Sequence, residues 1–174
     1  RGDTVIGKVI DITFSSWIID IGCAKAAMLS LKEATSEFIE RGADLTQFYN
    51  IGDLVIAKVV SVSRLKSADL TTKGPGLTKV TKGIVIDIKS TKVPRVIGKQ
   101  GSMVTMIKDA TNTRITVGQN GKVHILAQDP EMEIVVRDVI KMIGANAHKQ
   151  GLTEEVKKFL DERLKDKNVQ KAIW

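Results

Sequence analysis

The sequence is poor in the residues that would mark several other classes of protein. Its single cysteine, Cys23, excludes disulfide frameworks, zinc ribbons and treble-clef sites, all of which need paired thiolates. One thiol in a chain of this size fits a reducing compartment, and a cytoplasmic location is expected. Histidine occurs twice, at His124 and His148, with no spacing suited to a metal site or a catalytic triad. There is no GxxxxGK[ST] phosphate loop. Glu154-Glu155 and Asp161-Glu162 fall on the polar side of a helical pattern, as solvated charges do. No run approaches the roughly 20 apolar residues of a membrane helix, and the opening Arg-Gly-Asp is not a charged-then-apolar leader. That opening also lacks a methionine, so a fragment of a longer chain is expected. These absences point to a binding module with no catalytic role, no cofactor, no metal and no membrane partner.

What is present is a foldable chain with uneven charge. At 43% hydrophobic and 27% charged residues, the sequence can bury a core. The net charge of +7 is confined to its middle. Residues 1–76 hold nine basic and nine acidic residues, and residues 129–174 again hold nine of each. Residues 77–128 hold nine basic residues against Asp87 and Asp109 alone, which accounts for the whole surplus. Positive charge gathered on one stretch is the usual electrostatic footprint of phosphate binding.

Three segments follow along the chain. In residues 1–76, β-branched and partly alternating runs predict five strands: 5–13, 17–21, 25–31, 55–63 and 69–72, with a helical turn around 33–39. Five strands in this length suggest a closed OB-fold barrel. Lys73-Gly74-Pro75-Gly76 then halts regular structure. Residues 77–150 read as strand (83–88), a short helix entered at Pro94 with Thr91 as cap, Gly98-Lys99-Gln100-Gly101, a helix from Met103, and a hairpin (114–117, 122–126) around an Asn-Gly turn. A longer helix capped by Asp129 follows, with an apolar stripe of Ile134, Val135, Val139, Ile140, Met142 and Ile143. Residues 151–174 form an amphipathic helix capped by Thr153, with Leu152, Val156, Phe159, Leu160 and Leu164 on one face. The fold class is therefore two domains, an all-β barrel and an α+β unit of order βααββα, with a C-terminal amphipathic helix.

Gly98-Lys99-Gln100-Gly101 carries the chemistry. Helix N-termini offer free N–H groups and partial positive charge to phosphate. Glycines let a nucleic-acid backbone approach closely, and Lys99 adds a charge at the contact. In this setting, residues 82–148 resemble the KH domain, whose GxxG loop clamps about four nucleotides of single strand. The resemblance implies that Gly98, Lys99, Gln100 and Gly101 hold phosphates. Val96, Ile97, Ile115 and Val117 would line a base groove, flanked by Lys92, Arg95 and Arg114.

The first segment resembles the OB-fold domain named after ribosomal protein S-one. Members often carry aromatics at the end of strand one and early in strand two, and Phe14 and Trp17 stand there. Such rings would stack bases, although either could equally serve the core. Met28-Leu29-Ser30 replaces the frequent His-Ile-Ser, and Asp69 stands where a basic residue often precedes the Leu-Ser of strand five. Lys8, Arg64 and Lys66 are possible backbone contacts. Barrel first and KH second is the order of the exosome cap proteins. The likeness implies a trimeric cap on a ring of RNase-PH-type subunits, binding single-stranded RNA and feeding 3′ ends into a pore where the ring cleaves. The family's N-terminal ring-docking domain would precede Arg1. A stand-alone RNA-binding regulator, or a scaffold with vestigial grooves, are the other two readings.

Overall fold

The computed structural model describes residues 2–40 and 42–173, so Arg1, Arg41 and Trp174 lie outside the described residues. The chain forms two compact units, residues 1–81 with 118–122, and residues 82–117 with 123–174.

The first unit is a closed barrel of strands β1 (Thr4–Ile12), β2 (Ser16–Asp20), β3 (Ala27–Ser30), β4 (Leu54–Val62) and β5 (Ala68–Thr71), in the order β1-β2-β3-β5-β4. β1 pairs with β4 along its first half and with β2 along its second, and Lys8 sits in both ladders. Gly7 permits that crossing, since a methyl group there would lie 2.3 Å from Ile19 Cγ2. The barrel closes through a parallel β3–β5 pairing, Met28 opposite Asp69 and Leu29 opposite Leu70. A four-residue helix α1 (Leu31–Ala34) and a helical turn at Leu45–Gln47 occupy the long polar connection, so the expected turn at 33–39 is shorter and starts earlier. The core is Val5, Val9, Ile19, Leu29, Val55 and Leu70 around Trp17.

Two charged caps brace the connections. Asp44 accepts from the Thr46 hydroxyl at 2.6 Å and from its amide at 3.0 Å, which holds its carboxyl below the ordinary carboxylate value. Asp53 accepts from the Asn50 amide at 2.7 Å and pairs with Lys79 at 3.2 Å, and its carboxyl is likewise lowered.

The first unit extends beyond Gly76. Ile56 N donates to Thr78 O and Val80 N to Leu54 O, so the segment after the Gly-Pro-Gly stop lies along β4. The boundary thus falls at residue 81 rather than 76. The unit also takes in the 118–122 turn, where Asn120 Nδ2 donates to the carbonyls of Ile6 and Ile21.

The second unit holds a three-stranded sheet, β6 (Ile84–Asp87), β7 (Arg114–Val117) and β8 (Lys122–Leu126), ordered β6-β8-β7. Helices α2 (Val93–Ile97), α3 (Ser102–Thr111), α4 (Pro130–Ala145) and α5 (Leu152–Ile173) complete it, giving the expected βααββα order followed by one more helix. Lys92, not Thr91, stands at the N-cap of α2, and no side chain closes that cap. The α4 cap is as expected, with the Asp129 side chain accepting from Glu131 N. Its buried stripe differs in part: Ile134 is 43% exposed, while Met132 and Val136 are buried.

α5 is not a separate extension. Leu152, Val156 and Leu160 share one core cluster with Val96, Ile107, Ile125 and Ile140. Arg163 pairs with Asp138 of α4 at 3.0 Å, and Lys167 pairs with Asp129 and with Glu131. Thr153 lies inside the helix rather than capping it.

Candidate nucleic-acid interface

The loop between α2 and α3 has a backbone only glycine-rich sequence holds easily. Gly98 is at φ 77°, ψ 173° and Gly101 at φ 77°, ψ 12°. Between them Gln100 adopts φ 55°, ψ 30°, a left-handed conformation that costs a non-glycine residue about 1–2 kcal/mol. Gly98 is required twice, by its φ and by space. A Cβ there would lie 2.6 Å from Met103 N and 2.7 Å from Met103 Cβ. At Gly101 a Cβ would meet only Thr105 Oγ1 at 4.0 Å, so conformation alone calls for glycine.

The loop runs directly into α3, whose first turn has no side-chain cap. The Ser102 amide donates to Lys99 O, and the remaining orphan N–H groups of that turn, with its partial positive charge, are available to an anion. Lys99 and Gln100 are exposed at the tip. Among the described residues, Lys99 holds no ion pair. A compact, uncompensated cation beside free backbone donors is the arrangement a phosphodiester needs.

The residues flanking the loop separate into groups. Ile97 and Val117 are partly buried, whereas Val96 and Ile115 are core residues and cannot line a groove. Lys92 lies in the turn leading into α2. Arg95 turns aside, its Nη2 donating to Lys149 O at 2.7 Å in the α4–α5 connection. Arg114 opens β7 and lines a cleft of about 600 Å³ with Lys82, Asn112, Leu126 and Gln128. In the sequence Lys82 is marked only by its place in the basic stretch 77–128.

In the barrel unit the two aromatics part company. Trp17 is fully buried, its indole N–H donates to Tyr49 O at 3.0 Å, and it packs edge-on against Tyr49 and Phe48. It is therefore a core residue and not a stacking surface. Phe14 is 83% exposed at the tip of a tight turn closed by Thr13 N donating to Ser16 O at 2.8 Å. Arg64 and Lys66 are exposed in the β4–β5 loop, and Lys66 adopts φ 62°. Lys8 is exposed on β1 directly across from Asp20, a carboxylate neighbour that weakens it as a phosphate contact.

A family model described as KH domain matches residues 64–131, from the β4–β5 loop to the first turn of α4. The exosome complex component Rrp4 of Pyrococcus furiosus is 42% identical over 168 residues, 95% of this chain and 64% of that protein. Rrp4 of Thermofilum pendens is 41% identical over 95% of this chain and 70% of its own length, and that of Methanobrevibacter smithii 44% over 92% and 52%. The chain thus spans between about half and seven-tenths of these relatives. A crystal structure whose name assigns it provisionally to the exosome complex RNA-binding proteins superposes with a TM-score of 0.87 at 31% identity, covering 96% of both chains. Among the described residues no helix is long and apolar enough to cross a membrane.

Proposed function

The chain belongs to the Rrp4 family of exosome complex components, and from that premise we propose that it is a non-catalytic RNA-binding subunit of an exosome. It grips single-stranded RNA and directs 3′ ends into the pore of a ring of RNase-PH-type subunits, on which three copies form a cap. Bond breaking belongs to the ring.

The observation that carries this reading is the Gly98–Gly101 loop, with its two positive-φ glycines, its exposed Lys99, which holds no ion pair among the described residues, and the start of α3 without a side-chain cap. Single strands are clamped at such loops through the backbone, with bases splayed into the neighbouring groove. The proposed contacts are Gly98, Lys99, Gln100 and Gly101, with Lys92, Ile97 and Arg114 beside them and Phe14 as a stacking ring in the barrel unit. Arg64 and Lys8 are secondary backbone contacts.

The test is a titration of a fluorescent 15-nucleotide single-stranded RNA against the wild type and a Lys99→Asp, Gln100→Asp variant at two salt concentrations. The reading requires salt-dependent binding that the variant largely loses and a duplex control that binds worse.

A further inference from the structure

We propose that the cleft between α2 and the α4–α5 connection is a second phosphate subsite, continuous with the GxxG loop. It would take the backbone of nucleotides outside the four that the loop clamps. The inference rests on the RNA-binding reading of that loop and adds to it a site on the helical connection outside the GxxG motif. Its walls are Arg95 from α2 and His148, Lys149, Gln150 and Thr153 from the connection and the start of α5, with Met103 at its base. Its volume of about 460 Å³ suits one small polar group or a nucleotide-sized fragment.

Three features of the cleft favour a phosphodiester. First, every polar side chain that lines it can donate a hydrogen bond, and none is a carboxylate. Arginine forks and lysine ammonium groups are the usual partners of phosphate oxygens. Second, the cleft is built. The Arg95 guanidinium donates to Lys149 O at 2.7 Å, which ties the connection to α2 and leaves further N–H groups on an exposed guanidinium. Among the described residues His148 and Lys149 hold no ion pair, so their donors are not consumed internally. Third, the cleft adjoins the loop through one residue. Met103, at its base, is the residue whose amide and Cβ crowd Gly98. A strand held at Gly98–Gly101 therefore leaves the loop beside this cleft, and the phosphates next along that strand have a cationic surface to follow.

The experiment compares a 4-nucleotide RNA, which fills the loop alone, with a 12-nucleotide RNA at low salt. A His148→Glu, Lys149→Glu variant is measured against wild type and Lys99→Asp, with thermal midpoints recorded for each. Both substituted side chains are exposed, and the Arg95 bond uses the Lys149 backbone, so the fold is retained. The expected result is a loss of about tenfold for the 12-mer, with a salt slope shallower by about one contact, and no change for the 4-mer. The milder Lys149→Gln gives a smaller loss in the same direction. Equal affinity for the 12-mer in wild type and variant overturns the subsite while leaving the loop reading intact if Lys99→Asp still weakens binding. Equal losses at both lengths also overturn it, since they report a general field. Absence of wild-type binding at either length overturns the subsite and the loop reading together.

Discussion

Gly98 and Met103 are packed so closely that a methyl group on the glycine would stand 2.6 Å from the methionine amide nitrogen. That close approach holds the start of the Gly98–Gly101 loop against the first turn of α3. Gly98→Ala is therefore expected to cost about 2 kcal/mol or more, from the left-handed backbone and the clash together, and to weaken RNA binding at least tenfold. Gly101→Ala, with open space at its Cβ, should cost only about 1 kcal/mol. Gly101→Asn should recover most of that, because asparagine tolerates left-handed backbone. Thermal melts and RNA titrations of the three variants check the order.

Phe14 and Trp17 should respond in opposite ways. Phe14→Ala removes an exposed ring and should leave the thermal midpoint unchanged, while lowering RNA affinity by the roughly 1–3 kcal/mol of one stacked base. Trp17→Phe leaves the Tyr49 carbonyl without its donor and opens a cavity, so it should destabilise the barrel unit by about 2 kcal/mol. An unchanged affinity in Phe14→Ala would remove the barrel's aromatic from the RNA path.

Asp53 gives the barrel a defined response to acid. Its carboxyl is lowered in the folded state by the Asn50 amide first and by Lys79 second, so its stabilising effect is present above its ordinary value of 3.8 and fades as pH falls through the folded-state value. Asp53→Asn should cost less than about 1 kcal/mol at neutral pH for so exposed a pair, seen as a lower thermal midpoint. Melts repeated downward in pH should show wild type and variant converging below pH 3.8.

The last helix should prove integral to its unit. Leu160 is buried in the cluster that contains Ile107 and Ile140, so Leu160→Ala should cost about 2–5 kcal/mol. A chain ending at residue 150 would lose Leu152, Val156 and Leu160 from that core at once. It should fail to give a cooperative transition for the second unit in calorimetry, whereas a chain ending after residue 168 should retain one.

Much of this architecture could be read from residue patterns, and the failures have physical reasons. Strands β1, β2, β4 and β5 fall within a residue or two of the alternating runs, and the β7–β8 hairpin matches its Asn-Gly signal residue for residue. The first compact unit runs past Gly-Pro-Gly to residue 81, because those residues end regular structure without ending the unit. What carries the chain on to residue 81 is backbone hydrogen bonding by 78 and 80, which leaves no side-chain signature. Trp17 and Phe14, three residues apart, gave the sequence no means of deciding which ring the barrel encloses; a donor for Tyr49 O decides it. The KH resemblance sets Arg95 beside the groove, and only the fold brings the Lys149 carbonyl within its reach. The Gly98–Gly101 loop is legible because its backbone calls for glycine, and the basic βααββα setting singles out a glycine pair whose spacing alone is common.

The parallel seam between β3 and β5 bears on how the barrel comes to exist. Met28 and Asp69, partners across it, are far apart in sequence, so joining them means closing a long chain segment before any ladder bond rewards it. Pairings of this kind slow folding, and the hairpin contacts β1–β2 and β2–β3 should form well before the seam does. Until it closes, β3 and β5 each present an unpaired edge that a second chain could extend. Closure of the seam thus joins the β1–β4 pairing among the long-range steps that slow folding, and it ends the exposure of these two edges to intermolecular strand pairing.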